Sequence, residues 1–267
     1  MNIRLGLFDS GIGGFTVLKR VVERHGDISC VYLGDLARIP YGSKSPSEIR
    51  LIAMEVIKWL INQDISAVLI ACNTTNSLAL DIIERFTEIP IFGLVDSGVE
   101  LICGNNIGVL ATPSTVASKF YTKKILEVKP EAVIFEQPCQ GLVELIEADN
   151  TTNKEIQGLV NQYLNPLLEA RVNEIILGCS HYPLILPILK ELLPSGVRLI
   201  DPALGLAKNL DRLLGVGNPS LNNQLILSNT RFCVTSDPKG FATKVMYWLN
   251  NFTEVELVSL RSKAGVF

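Results

Sequence analysis

The chain has 267 residues, 48% of them hydrophobic, and a formal net charge of −3 at pH 7. That length accommodates one large domain or two of moderate size, each with an ample core. Apolar runs such as 67–71 fall far short of the ~20 residues of a membrane-spanning helix, and Asp9 breaks the N-terminal apolar run before a signal-peptide core can form. With no block of Lys or Arg, neither nucleic acid nor an anionic membrane is indicated as a partner. These features read as a soluble cytoplasmic protein.

In chain order, residues 4–8 read as a strand, and Gly11-Ile12-Gly13-Gly14 as a loop opening a helix over 15–24. A dinucleotide fingerprint would need glycine where Thr16 stands, so that reading fails. The loop still suits a small anion or close backbone approach to a ligand. His25, before Gly26, reads as a cation at the helix C-terminus. A strand over 29–33 follows, then a turn at Ile39-Pro40-Tyr41-Gly42. Ser45-Pro46-Ser47-Glu48 is a capping box with proline at the first helical position, opening a helix to residue 62. Next come a strand over 67–71, a helix over 77–85, and strands over 107–111 and 132–136. A short helix over 140–148 puts Glu144 and Glu147 on one face, which by itself reads as a solvated surface. Strands over 174–178 and 198–200 flank a helix that follows Tyr182-Pro183 and runs to 193. A Gly/Asn/Pro-rich loop spans 215–223, followed by a strand over 229–235, a helix from Asp237-Pro238 to Trp248 and a strand over 255–260. This alternation predicts an α/β fold of βαβ units with mostly parallel sheets.

The chain echoes itself. Gly6-Leu7-Phe8-Asp9-Ser10 resembles Gly108-Val109-Leu110-Ala111-Thr112, and Val68-Leu69-Ile70-Ala71-Cys72-Asn73-Thr74 resembles Ile175-Ile176-Leu177-Gly178-Cys179-Ser180-His181. Two similar α/β halves related by a pseudo-two-fold axis would place Cys72 and Cys179 on opposite sides of a cleft. Ligands of open α/β sheets bind beyond the carboxyl ends of the strands, where both cysteines fall.

Two facing thiols suit one reaction. Inverting a Cα centre requires a base on one face and an acid on the other. Without a cofactor to absorb charge, the proton acceptor must be strong, close and desolvated. A perturbed cysteine titrates near neutrality and responds to helix N-termini and nearby cations. Asp9 can orient such a group or bind an ammonium, or simply cap its helix. His181, one of two histidines, stands two residues after a candidate acid/base thiol. With so few histidines and no clustered spacing, no metal site is expected.

There are six cysteines, none in a C-x-x-C pair, and the chain does not need disulfides to fold. Cys30, Cys103 and Cys233 read as core residues, since free cysteine is among the most buried residue types. A cysteine hydrolase built on Cys179 and His181 is a weaker reading, because a nucleophile and its base usually come from separate segments.

Five motifs in this order resemble the glutamate racemase family across nearly the whole chain. They are Phe8-Asp9-Ser10-Gly11-Ile12-Gly13-Gly14, Pro40-Tyr41-Gly42, Ala71-Cys72-Asn73-Thr74, Ala111-Thr112 with Thr115, and Gly178-Cys179-Ser180-His181-Tyr182-Pro183. The resemblance implies two α/β domains, 1–96 plus 208–267 and 97–207, with the active site in the cleft between them. It implies interconversion of L- and D-glutamate without PLP or metal, supplying D-glutamate to peptidoglycan and so to cell wall and cell shape. Cys72 then matches the base for the D-isomer and Cys179 that for the L-isomer. Asp9, His181 and Glu147 match supporting acid/base positions. Asp9, Ser10, Pro40, Tyr41, Gly42, Asn73, Thr74, Thr115, Ser180 and His181 match substrate-binding positions. A homodimer follows from the resemblance alone. The chain departs from the family at Ser180, where threonine is common, and over Cys139-Gln140-Gly141-Leu142-Val143-Glu144, where two family prolines are missing. A racemase of aspartate or another small amino acid and a non-catalytic ligand-binding protein of the same fold are the alternatives.

Overall fold

The computed structural model describes residues 3–148, 154–215 and 225–260. Beyond Gly215, the loop expected over 215–223 lies outside the described residues. The strands are β1 (Arg4–Asp9), β2 (Ser29–Gly34), β3 (Ala67–Ile70), β4 (Ile91–Gly93), β5 (Asn106–Ala111), β6 (Val133–Pro138), β7 (Glu174–Gly178), β8 (Arg198–Ile200), β9 (Thr230–Val234) and β10 (Val255–Leu257). They form two sheets, ordered β10-β9-β2-β1-β3-β4 and β6-β5-β7-β8. All pairings among the described residues are parallel. β3 and β7 are buried along their whole length, as strands covered by helices on both faces must be.

The internal echo is structural. β2-β1-β3-β4 and β6-β5-β7-β8 have the same order, and the register pairs Phe8 with Ile70 in one sheet and Ala111 with Gly178 in the other. Cys72 and Cys179 therefore leave equivalent strands at equivalent ends. The last strands, β9 and β10, return to extend the first sheet beside β2.

Sequence-encoded devices set the helices. The capping box is present: Ser45 Oγ accepts from the Glu48 amide at 3.3 Å, and Glu48 accepts from the Ser45 amide at 3.0 Å. Helix Gly14–His25 buries Phe15, Leu18, Val21 and Val22 on one face. They join Tyr32, Phe232 and Phe241 in a core where each large side chain contributes about 1.5–3 kcal/mol. Helix Pro202–Asn209 adds Ala203, Leu206 and Ala207 to that same core.

Several expectations are corrected. β4 went unpredicted because its three residues are only half-buried and follow Pro90. The helix expected over 77–85 starts at Asn73, immediately after Cys72. After Cys179 the chain first makes a 3₁₀ turn, Tyr182–Ile185, and only then the helix Leu186–Leu192. The last strand stops at Leu257 rather than 260. Cys30 and Cys233 are buried in strands, but Cys103 is exposed, in the connection to β5, where its amide meets the Glu174 carboxylate. His25 does stand in the last turn of helix Gly14–His25, with its ring buried and Nε2 2.8 Å from the Ala207 carbonyl.

Candidate active site

The carboxyl ends of β1, β3, β5 and β7 bring together most of the residues singled out from sequence. Cys72 occupies the N-cap position of helix Asn73–Phe86. Cys179 ends β7. Both thiols are buried, as are Asp9, Ser10, Tyr41, Asn73, Thr74, Thr115, Ser180 and His181. Pro40 and Gly42 are half-buried.

Asp9 is not a helix cap. Its Oδ1 accepts from the Gly11 amide at 2.8 Å and its Oδ2 from the Ser180 hydroxyl at 2.8 Å. Burial raises the Asp9 carboxyl above the usual range, with the His181 charge pulling the other way. Burial, and then the Asp9 charge, push the Cys72 thiol up to about 12, against hydrogen bonding from Thr75. Cys72 therefore rests as a thiol.

Cys179 differs in having a cationic neighbour. His181 Nδ1 lies 3.8 Å from its sulfur. His181 Nε2 lies 2.7 Å from Glu147 Oε1. Burial alone would lower the His181 pKa, but Cys179 and Glu147 raise it well above the usual imidazole range. Glu147, against the effect of burial, is held down at about 2 by His181, by Lys244 and by the Ile12 amide. Cys179, His181 and Glu147 thus form a connected chain with the imidazole charged.

The expected pairing of Glu144 with Glu147 does not hold as one environment. Glu144 is exposed, whereas Glu147 ends helix Leu142–Glu147 with its side chain only 12% exposed. From the altered segment, Cys139, Gln140, Gly141, Val143 and Glu144 instead line a surface recess shared with Pro40, Gly42 and Thr112.

Hydrogen bonds cross between the two sheets at several further points. Thr16 donates from Oγ1 to the Gly13 and Ser180 carbonyls. The Ile12 amide donates to Glu147 Oε1 at 3.0 Å. The hydroxyls of Thr74 and Thr112 are 3.0 Å apart, and those of Thr112 and Thr115 2.9 Å. Tyr121 donates to Asn73 Oδ1 at 2.7 Å. The other Asn73 amide atom, Nδ2, is buried without a protein partner among the described residues, so it is free to donate to a ligand.

Glycine is required where the segments meet. A Cβ on Gly13 would lie 2.3 Å from Ser180 Oγ and 2.6 Å from His181 Nδ1. A Cβ on Gly11 would lie 2.2 Å from Glu147 Oε1. The loop that failed as a dinucleotide motif is thus packed directly against the acid/base groups.

Sequence reasoning missed four contributors. Tyr32 donates to the Gly11 carbonyl at 2.7 Å and shapes the loop from below. Buried Asp35 accepts from Tyr41, from Arg38 at 2.6 Å and from Thr235 at 2.7 Å. Asp35 directly follows the buried apolar strand β2, much as Asp9 ends β1, and that signal could have found it. Thr112 was noted only as part of a motif. Lys244 reaches Glu147 across 97 residues of sequence, and no spacing rule points to it.

This arrangement can move a proton at either of two buried thiols, one protonated and the other beside an imidazolium. The model of the Asp/Glu/Hydantoin racemase family matches residues 15–210. A glutamate racemase of Prochlorococcus marinus (strain NATL2A) is 48% identical over 99% of this chain and 100% of its own. One from Synechococcus sp. (strain CC9605) is 46% identical over 95% of this chain and 96% of its own. Among solved structures, the glutamate racemase of Francisella tularensis in complex with D-glutamate superposes with a TM-score of 0.87 at 35% identity, covering 97% of this chain and 98% of that one. An aspartate racemase of Picrophilus torridus shares the fold alone, at 18% identity and a TM-score of 0.57. With its two echoing sheets, its paired thiols and these matches, the chain belongs to the Asp/Glu/Hydantoin racemase family.

Proposed function

We infer that this protein interconverts L- and D-glutamate by a two-base mechanism and needs no cofactor for it. One observation carries the reading: two buried thiols leave equivalent strands of two like-ordered sheets, and among the described residues only Cys179 has a cation beside it. The likeness to named glutamate racemases over nearly the full chain supports glutamate as the substrate.

In the L-to-D direction the Cys179 thiolate, paired with His181, removes the α-proton. The Cys72 thiol then gives its proton to the opposite face. The chain is left with a Cys179 thiol and a Cys72 thiolate, the form that takes D-glutamate. Asp9 and Glu147 support the transfers, Asp9 at the Cys72 side and Glu147 through His181. The amides and hydroxyls of Ser10, Asn73, Thr74, Thr115 and Ser180 hold the substrate, with Asp9 and His181. Pro40, Tyr41 and Gly42 close one side. Backbone amides are good partners for the carboxylates, since an anion there meets fixed dipoles at no reorganisation cost.

We place the division into domains at 1–96 plus 208–267 and 97–207, the second boundary falling within helix Pro202–Asn209. The product would feed peptidoglycan synthesis in the cytoplasm, with a homodimer as the working form. No helix of the described residues is long and apolar enough to cross a membrane.

The test is incubation with each enantiomer of glutamate and of aspartate in D₂O, following optical rotation and the α-proton signal by NMR. Wild-type protein is expected to racemise glutamate and to exchange its α-hydrogen. Cys72→Ser and Cys179→Ser are each expected to cut racemisation by about 10³-fold or more, because each removes the acid/base group of one face. Turnover of aspartate without glutamate, or racemisation intact in both variants, would overturn the reading.

A further inference from the structure

Lys244 belongs to neither sheet's catalytic edge, yet it makes two close contacts to the Glu147 residue. Its Nζ donates to the Glu147 main-chain carbonyl at 2.7 Å and to Oε2 at 2.8 Å. The other carboxylate oxygen, Oε1, takes the Ile12 amide and His181 Nε2. Both oxygens are thereby committed, and the plane of the carboxylate is fixed. Lys244 itself is set by its helix, Pro238–Leu249, whose N-cap Asp237 accepts from the Gly240 amide at 3.0 Å. Phe241 and Val245 of that helix are buried. The Phe241 ring centroid lies 5.0 Å from that of Phe15, in the first turn of the helix that follows the glycine loop. The loop and the lysine are thus registered on one aromatic cluster.

We propose that Lys244 is a positioning residue for the acid/base pair on the Cys179 side: it orients Glu147, which orients His181 against the Cys179 sulfur. The proposal deepens the two-base reading and rests on Glu147 acting through His181. The charges alternate along the chain of contacts, from ammonium to carboxylate to imidazolium to the cysteine. Charge-assisted hydrogen bonds of this kind are about twice as strong as neutral ones, and holding a carboxylate from both sides fixes the imidazole it holds in turn. The effect is one-sided, because the hydrogen bonds that bear on Cys72 come from Thr75.

Lys244→Met keeps most of the aliphatic stem and removes the cation, and Lys244→Arg restores a cation with donors. Alkylation of Cys179 and Cys72 by iodoacetamide, followed by peptide mass spectrometry, reads the effect without turnover. Lys244→Met is expected to slow Cys179 alkylation about threefold or more while leaving Cys72 unchanged, since it is the thiolate that reacts. In the racemase assay kcat/KM is expected to fall about tenfold, equally in both directions, because the equilibrium between enantiomers is unchanged. The primary isotope effect with α-deuterated L-glutamate is expected to grow relative to that with α-deuterated D-glutamate, as proton transfer at the Cys179 face becomes more limiting. Lys244→Arg is expected to recover most of each loss. Wild-type alkylation and kcat/KM in Lys244→Met overturn the proposal. So does a loss that alters both cysteines alike and that Lys244→Arg does not repair. If wild-type protein does not exchange the α-hydrogen of glutamate while Lys244→Met still slows Cys179 selectively, the racemase reading falls and the assignment of Lys244 stands.

Discussion

The Ser180 hydroxyl donates to Asp9 Oδ2 at 2.8 Å across 171 residues of sequence. That bond joins the end of β1 to the loop after β7, so Asp9 is held partly by a residue of the other sheet. Gly13 sits beneath it, with no room for a Cβ. Gly13→Ala must therefore displace Ser180 and His181, whereas the packing of the sheets is untouched. The expected result is a fall in kcat/KM of about 10²-fold, as for a misplaced catalytic group, with a stability loss of only about 1–3 kcal/mol from overpacking. Steady-state kinetics and urea denaturation of the same preparation check both halves.

Burial and the Asp9 charge, which raise the Cys72 thiol to about 12, give a pH dependence with a definite sign. Well below its pKa, a thiol's ionised fraction rises about tenfold per pH unit. Cys72 alkylation is expected to climb with that slope across the neutral range. Cys179, whose sulfur lies 3.8 Å from His181 Nδ1, serves as the internal comparison. Rates for the two cysteine peptides, measured between about pH 6 and 9, decide this. Asp9→Asn removes the neighbouring charge and is expected to speed Cys72 alkylation.

Glu147 links site chemistry to stability. Its folded pKa, about 2, lies below the ordinary glutamate value, so it stabilises the folded state above the ordinary value and loses that contribution as pH falls towards 2. Glu147→Gln leaves His181 and Lys244 without their anion. It is expected to cost about 2–4 kcal/mol at neutral pH, as when a mostly buried pair is broken. The difference from wild type is expected to shrink below about pH 4, where wild-type Glu147 itself loses its advantage. Thermal melts of both proteins from neutral to acid pH provide the measurement.

Much of this was legible in the sequence for identifiable reasons. The buried runs of β3 and β7 end in a small residue, a cysteine and two polar residues, and such punctuation survives without any tertiary information. The capping box at Ser45 and Glu48 is local in the same sense. What could not be read depends on distance. Nothing near Glu147 marks it as the buried member of its pair, because its burial comes from Ile12, His181 and Lys244, each on a different segment. β4 was missed for the opposite reason, as a three-residue edge strand carries too little pattern. Cys103 misled because burial was inferred from residue type, while its position in a connection exposes it.

The aromatic cluster under the glycine loop offers a last test, because it separates support from chemistry. Phe241 is fully buried against Phe15, Tyr32 and Phe232. Truncating it to alanine is expected to cost about 3–5 kcal/mol, the usual price of an emptied aromatic site. Helix Pro238–Leu249 also carries Lys244, so loosening it disturbs Glu147 as well. Phe241→Ala should therefore lose racemase activity at temperatures where its fold is still intact. Phe241→Leu fills much of the cavity and should keep more of both. Ile107, at the start of β5 and in a core cluster that contains neither Phe241 nor either thiol of the site, provides the control. Ile107→Val is expected to lower stability while leaving kcat/KM below the melting transition at the wild-type level. Activity falling in step with stability in both variants would show that Phe241 serves the fold alone.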